Sequence, residues 1–150
     1  MAPVSLDNPV IRSYLFYSGV LGLKLLGTAL LTSKARYTRK VFANEEDARY
    51  SGGVVKVNDP EVERARRAHL NDLENIPVFW ILGAIFVTTG PSASVATLLF
   101  RTYTAMRFLH TIVYAVKPLP QPTRAIVFTI PFLLTVYMGV NIIIHYAEGF

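Results

Sequence analysis

Four apolar stretches decide what this sequence can fold into: about Val10 to Thr32, Glu61 to Thr89, Ser94 to Val116 and Arg124 to Tyr146. A helix needs about 20 mostly apolar residues to cross a hydrocarbon core of about 30 Å. Inside that core every backbone N–H and C=O must be paired within the segment, which the helix does and an isolated strand does not. The sequence therefore predicts an all-α, integral membrane four-helix bundle, with residues 1–150 as one transmembrane domain and a polar loop over about 33–60. Charged residues make up only 17% of the chain, and nine of its fifteen Lys and Arg fall between Lys34 and Arg67. The excess apolar content is thus gathered into the spans. Met1–Pro9 has no basic n-region and no small-residue cleavage site, so the first span is expected to be retained and not removed as a signal peptide.

Each span has readable ends. In the first, Lys24 lies mid-span, and Gly19, Gly22 and Ala29 would admit a close neighbour. The second should start at Asp59-Pro60, with Asp59 as N-cap, Pro60 in the first turn, and Glu61 and Glu63 at the positive end of the helix. It is charged from Glu61 to Glu74 and apolar from Ile76 to Thr89, before Gly90-Pro91 stops it. The apolar part alone is too short to span. The helix is therefore expected to be continuous, its polar half buried in protein or projecting into the cytosol, with a kink at Pro77. Lys117-Pro118-Leu119-Pro120-Gln121-Pro122 ends the third span, and Pro131 is tolerable inside the fourth.

The net charge of +5 raises the question of nucleic acid. The basic residues, however, sit in connections beside apolar spans, where they set orientation, so no nucleic-acid partner is expected. The first and third connections are basic and the second, Gly90–Ala93, has no charge. The first and third are then cytosolic, with both termini on the other side. The absence of cysteine excludes disulfides, thiolate metal sites and a nucleophilic protein thiol. No HExxH, GxSxG or Walker loop is present, and no His/Glu spacing suits a metal.

Two polar stripes stand out. Arg64, Arg67, Asn71 and Glu74, spaced 3, 4 and 3, share one face of the second helix, with Arg66 and His69 on an adjacent face. The alternatives are a solvated face laced with ion pairs and a polar site within the bundle. Arg107, His110, Thr111 and Tyr114 form a matching stripe on the third span. Arg107 there is either a structural partner, for Glu74 or for backbone carbonyls, or part of the site. Arg124 opens the fourth span and either snorkels to the interface or joins the site. For Lys24 the expected role is pairing with an acid of another helix, Glu74 being the first candidate. Together these groups suit a small zwitterionic ligand: arginines for carboxylates, Glu74 for an ammonium.

Phe42-Ala43-Asn44 with Glu46-Asp47, the run Val62-Glu63-Arg64-x-x-Arg67-Ala68-His69-x-Asn71-Asp72-x-Glu74-Asn75, Arg107-x-x-His110-Thr111-x-x-Tyr114, and Leu119-Pro120-Gln121-Pro122-x-Arg124-Ala125 together resemble the signature of the MAPEG family, the membrane-associated proteins of eicosanoid and glutathione metabolism. The likeness covers nearly the whole chain. It implies a four-helix subunit of a homotrimer in the endoplasmic reticulum membrane, with glutathione bound between subunits on the cytosolic side. The matching glutathione-binding positions are Arg36, Arg67, His69, Asn71, Glu74, His110 and Tyr114, and the resemblance puts Arg124 beside the glutathione sulfur, where it would stabilise the thiolate. The implied activity is conjugation of glutathione to hydrophobic electrophiles from the bilayer, with reduction of lipid hydroperoxides alongside. The alternatives are the family's glutathione-dependent isomerisation of prostaglandin H2 and a non-enzymatic scaffold. Ala125 stands where the family's prostaglandin E synthase has a serine, and Phe128 where it has a tyrosine, which favours the transferase. Ala48 replaces the sulfhydryl that follows the FANxED run in the transferase, so regulation through that thiol is not expected.

Overall fold

The computed structural model describes residues 6–147. Residues 1–5 of the stretch read above as a retained N-terminus, and residues 148–150 at the other end, lie outside the described residues.

Helix α1 (Pro9–Arg39) starts at Asn8, whose side chain accepts from the Val10 amide at 2.8 Å. It runs on to Arg39 instead of ending near Thr32. No glycine or proline interrupts Ser33–Arg39, and Arg36 and Arg39 in the last turn complement the negative end of the dipole. The loop is correspondingly shorter and carries its own structure. Strands β1 (Val41–Phe42) and β2 (Val54–Val55) pair in parallel, Val41 opposite Val54. A parallel pair needs a crossover, and here it is the short helix α2 (Glu45–Ser51), ended by Gly52 at φ +62°. A Cβ on Gly53 would fall 2.5 Å from the Lys40 carbonyl oxygen and 2.7 Å from the Phe42 ring. Glycine there is what lets β2 close on β1. Among the described residues these two short strands are the only departure from an all-helical chain.

Helix α3 (Pro60–Thr88) starts where the sequence places it. Asp59 Oδ1 accepts from the Glu61 amide at 3.2 Å, and the helix runs unbroken through Pro77. Arg39 and Lys56 lie 3.6 and 3.5 Å from the Asp59 carboxylate and tie the loop to this helix start. Burial pushes the Asp59 carboxyl up, but the amides of Glu61 and Val62 and the two cations together hold it below its ordinary value. Helix α4 (Ala93–Thr111), capped by Ser92, continues into a π-helical turn, Ile112–Val116. Helix α5 (Thr123–Ala147) follows the proline-rich stop.

The long helices form an inside-out bundle. α1 and α5 each pack on both α3 and α4. Across the centre, Phe79 of α3 stacks on Tyr103 of α4 at 3.9 Å between ring centroids. Leu21, Ile76, Phe86, Ala96, Phe100 and Met138 complete the core. Leu23, Leu26 and Leu30 on α1 and Ile143 on α5 are instead 67–74% exposed, an apolar coat that suits lipid and not water. α1, α3 and α5 are each long and apolar enough to cross a membrane. α4 is not among them, because Arg101, Arg107 and His110 dilute its apolar content. The close approach between helices also lies elsewhere than expected. Gly19 and Gly27 meet nothing within 4 Å and Gly22 only Trp80, at 4.0 Å. It is Gly83 of α3 that a neighbour needs bare, since a Cβ there would fall 2.9 Å from the Tyr14 ring, whose hydroxyl donates to the Trp80 carbonyl at 2.7 Å.

Candidate functional site

The buried face of α3 carries Val62, Ala65, Ala68, Asp72, Ile76 and Phe79 in helical register. Asp72 is the one charged residue on it. Its carboxylate takes two cations from two other helices: Lys24 Nζ of α1 donates to Oδ2, and Arg107 Nη2 of α4 donates to Oδ1 at 2.5 Å. Asp72 and Arg107 are fully buried and Lys24 is 6% exposed. The expected pairing of Lys24 with an acid on another helix is therefore found, but the acid is Asp72 and not Glu74. Two residues further along a helix is more than half a turn, so Glu74 faces outward and makes no ion pair within 4 Å among the described residues. For the same reason Arg107 pairs with Asp72 and does not line the site itself.

Arg107 Nη2 also donates to Asn71 Oδ1 at 2.8 Å. Asn71 belongs to the next layer out, a cavity of about 250 Å³ lined by Arg67, Leu70, Asn71, Glu74, His110 and Tyr114. Both stripes read from the sequence meet here. Arg67 Nε donates to the Tyr114 hydroxyl at 3.3 Å. The Tyr114 ring stacks on His110 at 5.4 Å and 18°, and the Arg124 guanidinium lies over the same tyrosine ring, 4.5 Å from its centroid. Tyr114 sits in the π-helical turn, a local widening of the helix that is frequent at functional positions. Of the eight positions named from the sequence, five therefore line one cavity, Arg67, Asn71, Glu74, His110 and Tyr114, and a sixth, Arg124, lies over the Tyr114 ring. Arg36, in the last turn of α1, and His69, on the adjacent face of α3, do not line this cavity. Arg66 is engaged elsewhere, paired with Glu63 at 2.8 Å.

The cluster is chemically unfinished. His110 Nδ1 and Arg124 Nε, beside the Tyr114 ring, are buried without a hydrogen-bond partner among the described residues, as are Arg36 Nη1 and His69 Nδ1 away from the cavity. Buried polar groups are normally satisfied, and here the open valences are those of cations and imidazoles beside a single carboxylate. Such a set is chemically suited to an anionic, partly zwitterionic ligand. No group of three or more His, Asp or Glu among the described residues is placed to hold a metal ion.

Residues 14–144 match the MAPEG family. The chain belongs to that family. Its relatives include microsomal glutathione S-transferase 1 of Rattus norvegicus, 37% identical with 92% of each chain covered. The Homo sapiens protein of that name is 38% identical with the same coverage. Prostaglandin E synthase of Bos taurus is 37% identical over 92% of this chain and 90% of its own. This MAPEG chain thus has relatives of both activities over nearly its full length.

The residue that sequence reasoning missed is Asp72. It stood inside the quoted motif but was assigned nothing. The signal was available: it lies four residues after Ala68 and four before Ile76, on the apolar line of α3, where a carboxylate requires a partner.

Proposed function

We propose that this chain is a membrane-bound glutathione transferase that takes glutathione as cosubstrate and conjugates it to hydrophobic electrophiles partitioned into the bilayer, with lipid hydroperoxide reduction as a second outcome. The observation that carries the reading is the convergence of Arg67, Glu74, His110 and Tyr114 on one cavity, with Arg124 over the Tyr114 ring, in a chain with no cysteine of its own. Glutathione supplies the nucleophilic sulfur. Arg67 and His110 hold carboxylate, Asn71 adds a neutral contact, and Glu74 holds the ammonium. Arg124 stands by the sulfur, where a fixed guanidinium favours thiolate over thiol; nearby positive charge lowers a thiol pKa from about 8.5 into the range of roughly 3.5–7.5.

The finer reading is a homotrimer in the endoplasmic reticulum membrane, with the site toward the cytosol. Arg36 and His69 stand away from the cavity built within one chain, and α1 of a neighbouring copy would bring Arg36 to it. A tag inserted after Gly52 is then accessible from the cytosolic side of sealed microsomes, while both termini are protected; protease cleavage of the C-terminus in intact vesicles would reverse the orientation.

The test of function is direct. Titrating glutathione into detergent-purified protein should produce the ultraviolet band of bound thiolate, and a chloronitroarene should be conjugated. If prostaglandin H2 is isomerised and the chloronitroarene is untouched, the synthase reading replaces this one; Ala125 and Phe128 argue against that outcome. No glutathione binding at all would leave a scaffold.

A further inference from the structure

The buried charges of the bundle do not balance. Lys24 and Arg107 share one carboxylate, Asp72, in the interior of a membrane helix bundle. An uncompensated charge there is expensive and is normally answered by a counter-charge. The described residues provide no second buried acid in this layer: the other buried carboxylate is Asp59, at the start of α3 beside Arg39 and Lys56. The surplus is not isolated from the cavity either. Arg107 Nη2 donates to Asn71 Oδ1, so the amide oxygen points inward and the amide NH2 is the end left for the cavity that Asn71 lines. Arg107 Nε has no partner.

We propose that the Lys24–Asp72–Arg107 triad is a charged layer behind the glutathione cavity, joined to it through Asn71, with Lys24 and Arg107 as positioning residues whose surplus positive charge, relayed through an amide that Arg107 orients, selects anionic ligands. This rests on the glutathione reading given above. Arg67 and Arg124 against Glu74 leave one positive charge around the cavity, and the triad adds a second. Glutathione as thiolate carries two net negative charges, and the triad's surplus adds to the positive field that meets them.

The inference has an unusual signature, since the charge that favours binding burdens the fold. Lys24→Met leaves a neutral Arg107–Asp72 pair. Its melting temperature in detergent should not fall, while the dissociation constants for glutathione and S-methylglutathione should both rise about tenfold, the effect of one charge at roughly 10 Å through an effective dielectric of about 20. The thiolate band at neutral pH should shrink in parallel. The double variant Lys24→Met/Asp72→Asn returns the surplus to a single positive charge on Arg107 and should recover tighter binding than Lys24→Met alone, an outcome that a packing role for Lys24 does not produce. Asn71→Asp, at a half-buried position outside the triad, keeps the acceptor for Arg107 but cancels the surplus and replaces the donor facing the ligand. It should weaken both ligands by more than tenfold, and it decides the matter if the Lys24 variants do not fold. Unchanged dissociation constants in folded Lys24→Met, or tighter binding in Asn71→Asp, would overturn the proposal. Absence of glutathione binding in the unsubstituted protein would instead overturn the functional reading beneath it.

Discussion

Arg107 Nη2 lies 2.5 Å from Asp72 Oδ1, with side-chain exposures of 1% and 0%. Because Lys24 shares the same carboxylate, Asp72 is the hinge of three helices, α1, α3 and α4. Removing it strands two buried cations. Breaking a buried pair in this way costs about 3–5 kcal/mol. Asp72→Leu should therefore fail to fold or should lose most of its thermal stability in detergent, whereas Glu74→Leu, on the outward face, should melt near the unsubstituted protein. A stable Asp72→Leu with native helicity would show that lipid or water compensates the cations.

Glu74 has the opposite profile: small weight in the fold, large weight in the site. It lines the cavity and has no cation of its own among the described residues. Glu74→Gln should leave the melting transition in place and weaken glutathione binding by about 2–5 kcal/mol if the ligand's ammonium is fully desolvated against it. Calorimetric titration reads this directly. An unchanged dissociation constant would assign Glu74 to a solvated face.

How far these roles were legible in the sequence depends on periodicity. Arg67, Asn71, Glu74, His110 and Tyr114 could be placed on facing stripes because a helix repeats every 3.6 residues, and the structure brings them to one cavity. The start of α3 was legible for a local reason, since Asp59-Pro60 is a cap and carries its own geometry. The role of Asp72 was hidden by its neighbours: amid Asn71 and Glu74 it reads as one more polar residue, and only the line Ala68–Asp72–Ile76 marks its face. The close helix contact at Gly83 was illegible, because a glycine shows that an approach is allowed and not that a Tyr14 ring makes it. The π-helical turn that carries Tyr114 was likewise invisible, since a change of hydrogen-bond register leaves no mark in an apolar pattern.

The loop carries a pH dependence outside the membrane. The Asp59 carboxyl, raised by burial but lowered further by the Glu61 and Val62 amides and by Arg39 and Lys56, ends below its ordinary value. A depressed carboxyl contributes stability that is complete above its unfolded value of about 4 and is lost as pH falls through the folded value. Docking of residues 40–58 onto the start of α3 should therefore hold at neutral and mildly acidic pH and loosen below about pH 4. Hydrogen exchange of the Gly53 to Lys56 amides, two of which bond to Lys40 and Phe42 carbonyls, reports this. Asp59→Asn should exchange at neutral pH as the unsubstituted protein does in acid. Exchange in the unsubstituted protein that is independent of pH across this window, after correction for intrinsic rates, would remove Asp59 as the latch.

Arg124 gives the sharpest prediction. It enters at the first turn of α5, after the proline-rich stop, half-buried, with its guanidinium 4.5 Å from the Tyr114 ring centroid and its Nε unpartnered. Its side chain thus turns toward the Tyr114 cluster. A guanidinium stays charged at any working pH. In the proposed mechanism it stands beside the sulfur and stabilises the thiolate, and each unit by which it lowers the thiol pKa corresponds to about 1.4 kcal/mol of preference for that form. Arg124→Leu should raise the pKa of bound glutathione and lower the conjugation rate at neutral pH by at least tenfold. Binding should suffer less, because Arg67 and His110 still meet the carboxylates. The rate should partly return at alkaline pH, where the thiol ionises without help. Arg124→Lys should fall between the two, keeping the charge and losing the planar stack on Tyr114. The measurements are the thiolate absorbance and the pH–rate profile of each variant; if Arg124→Leu alters neither, the guanidinium is an interface anchor and the thiolate is stabilised from elsewhere.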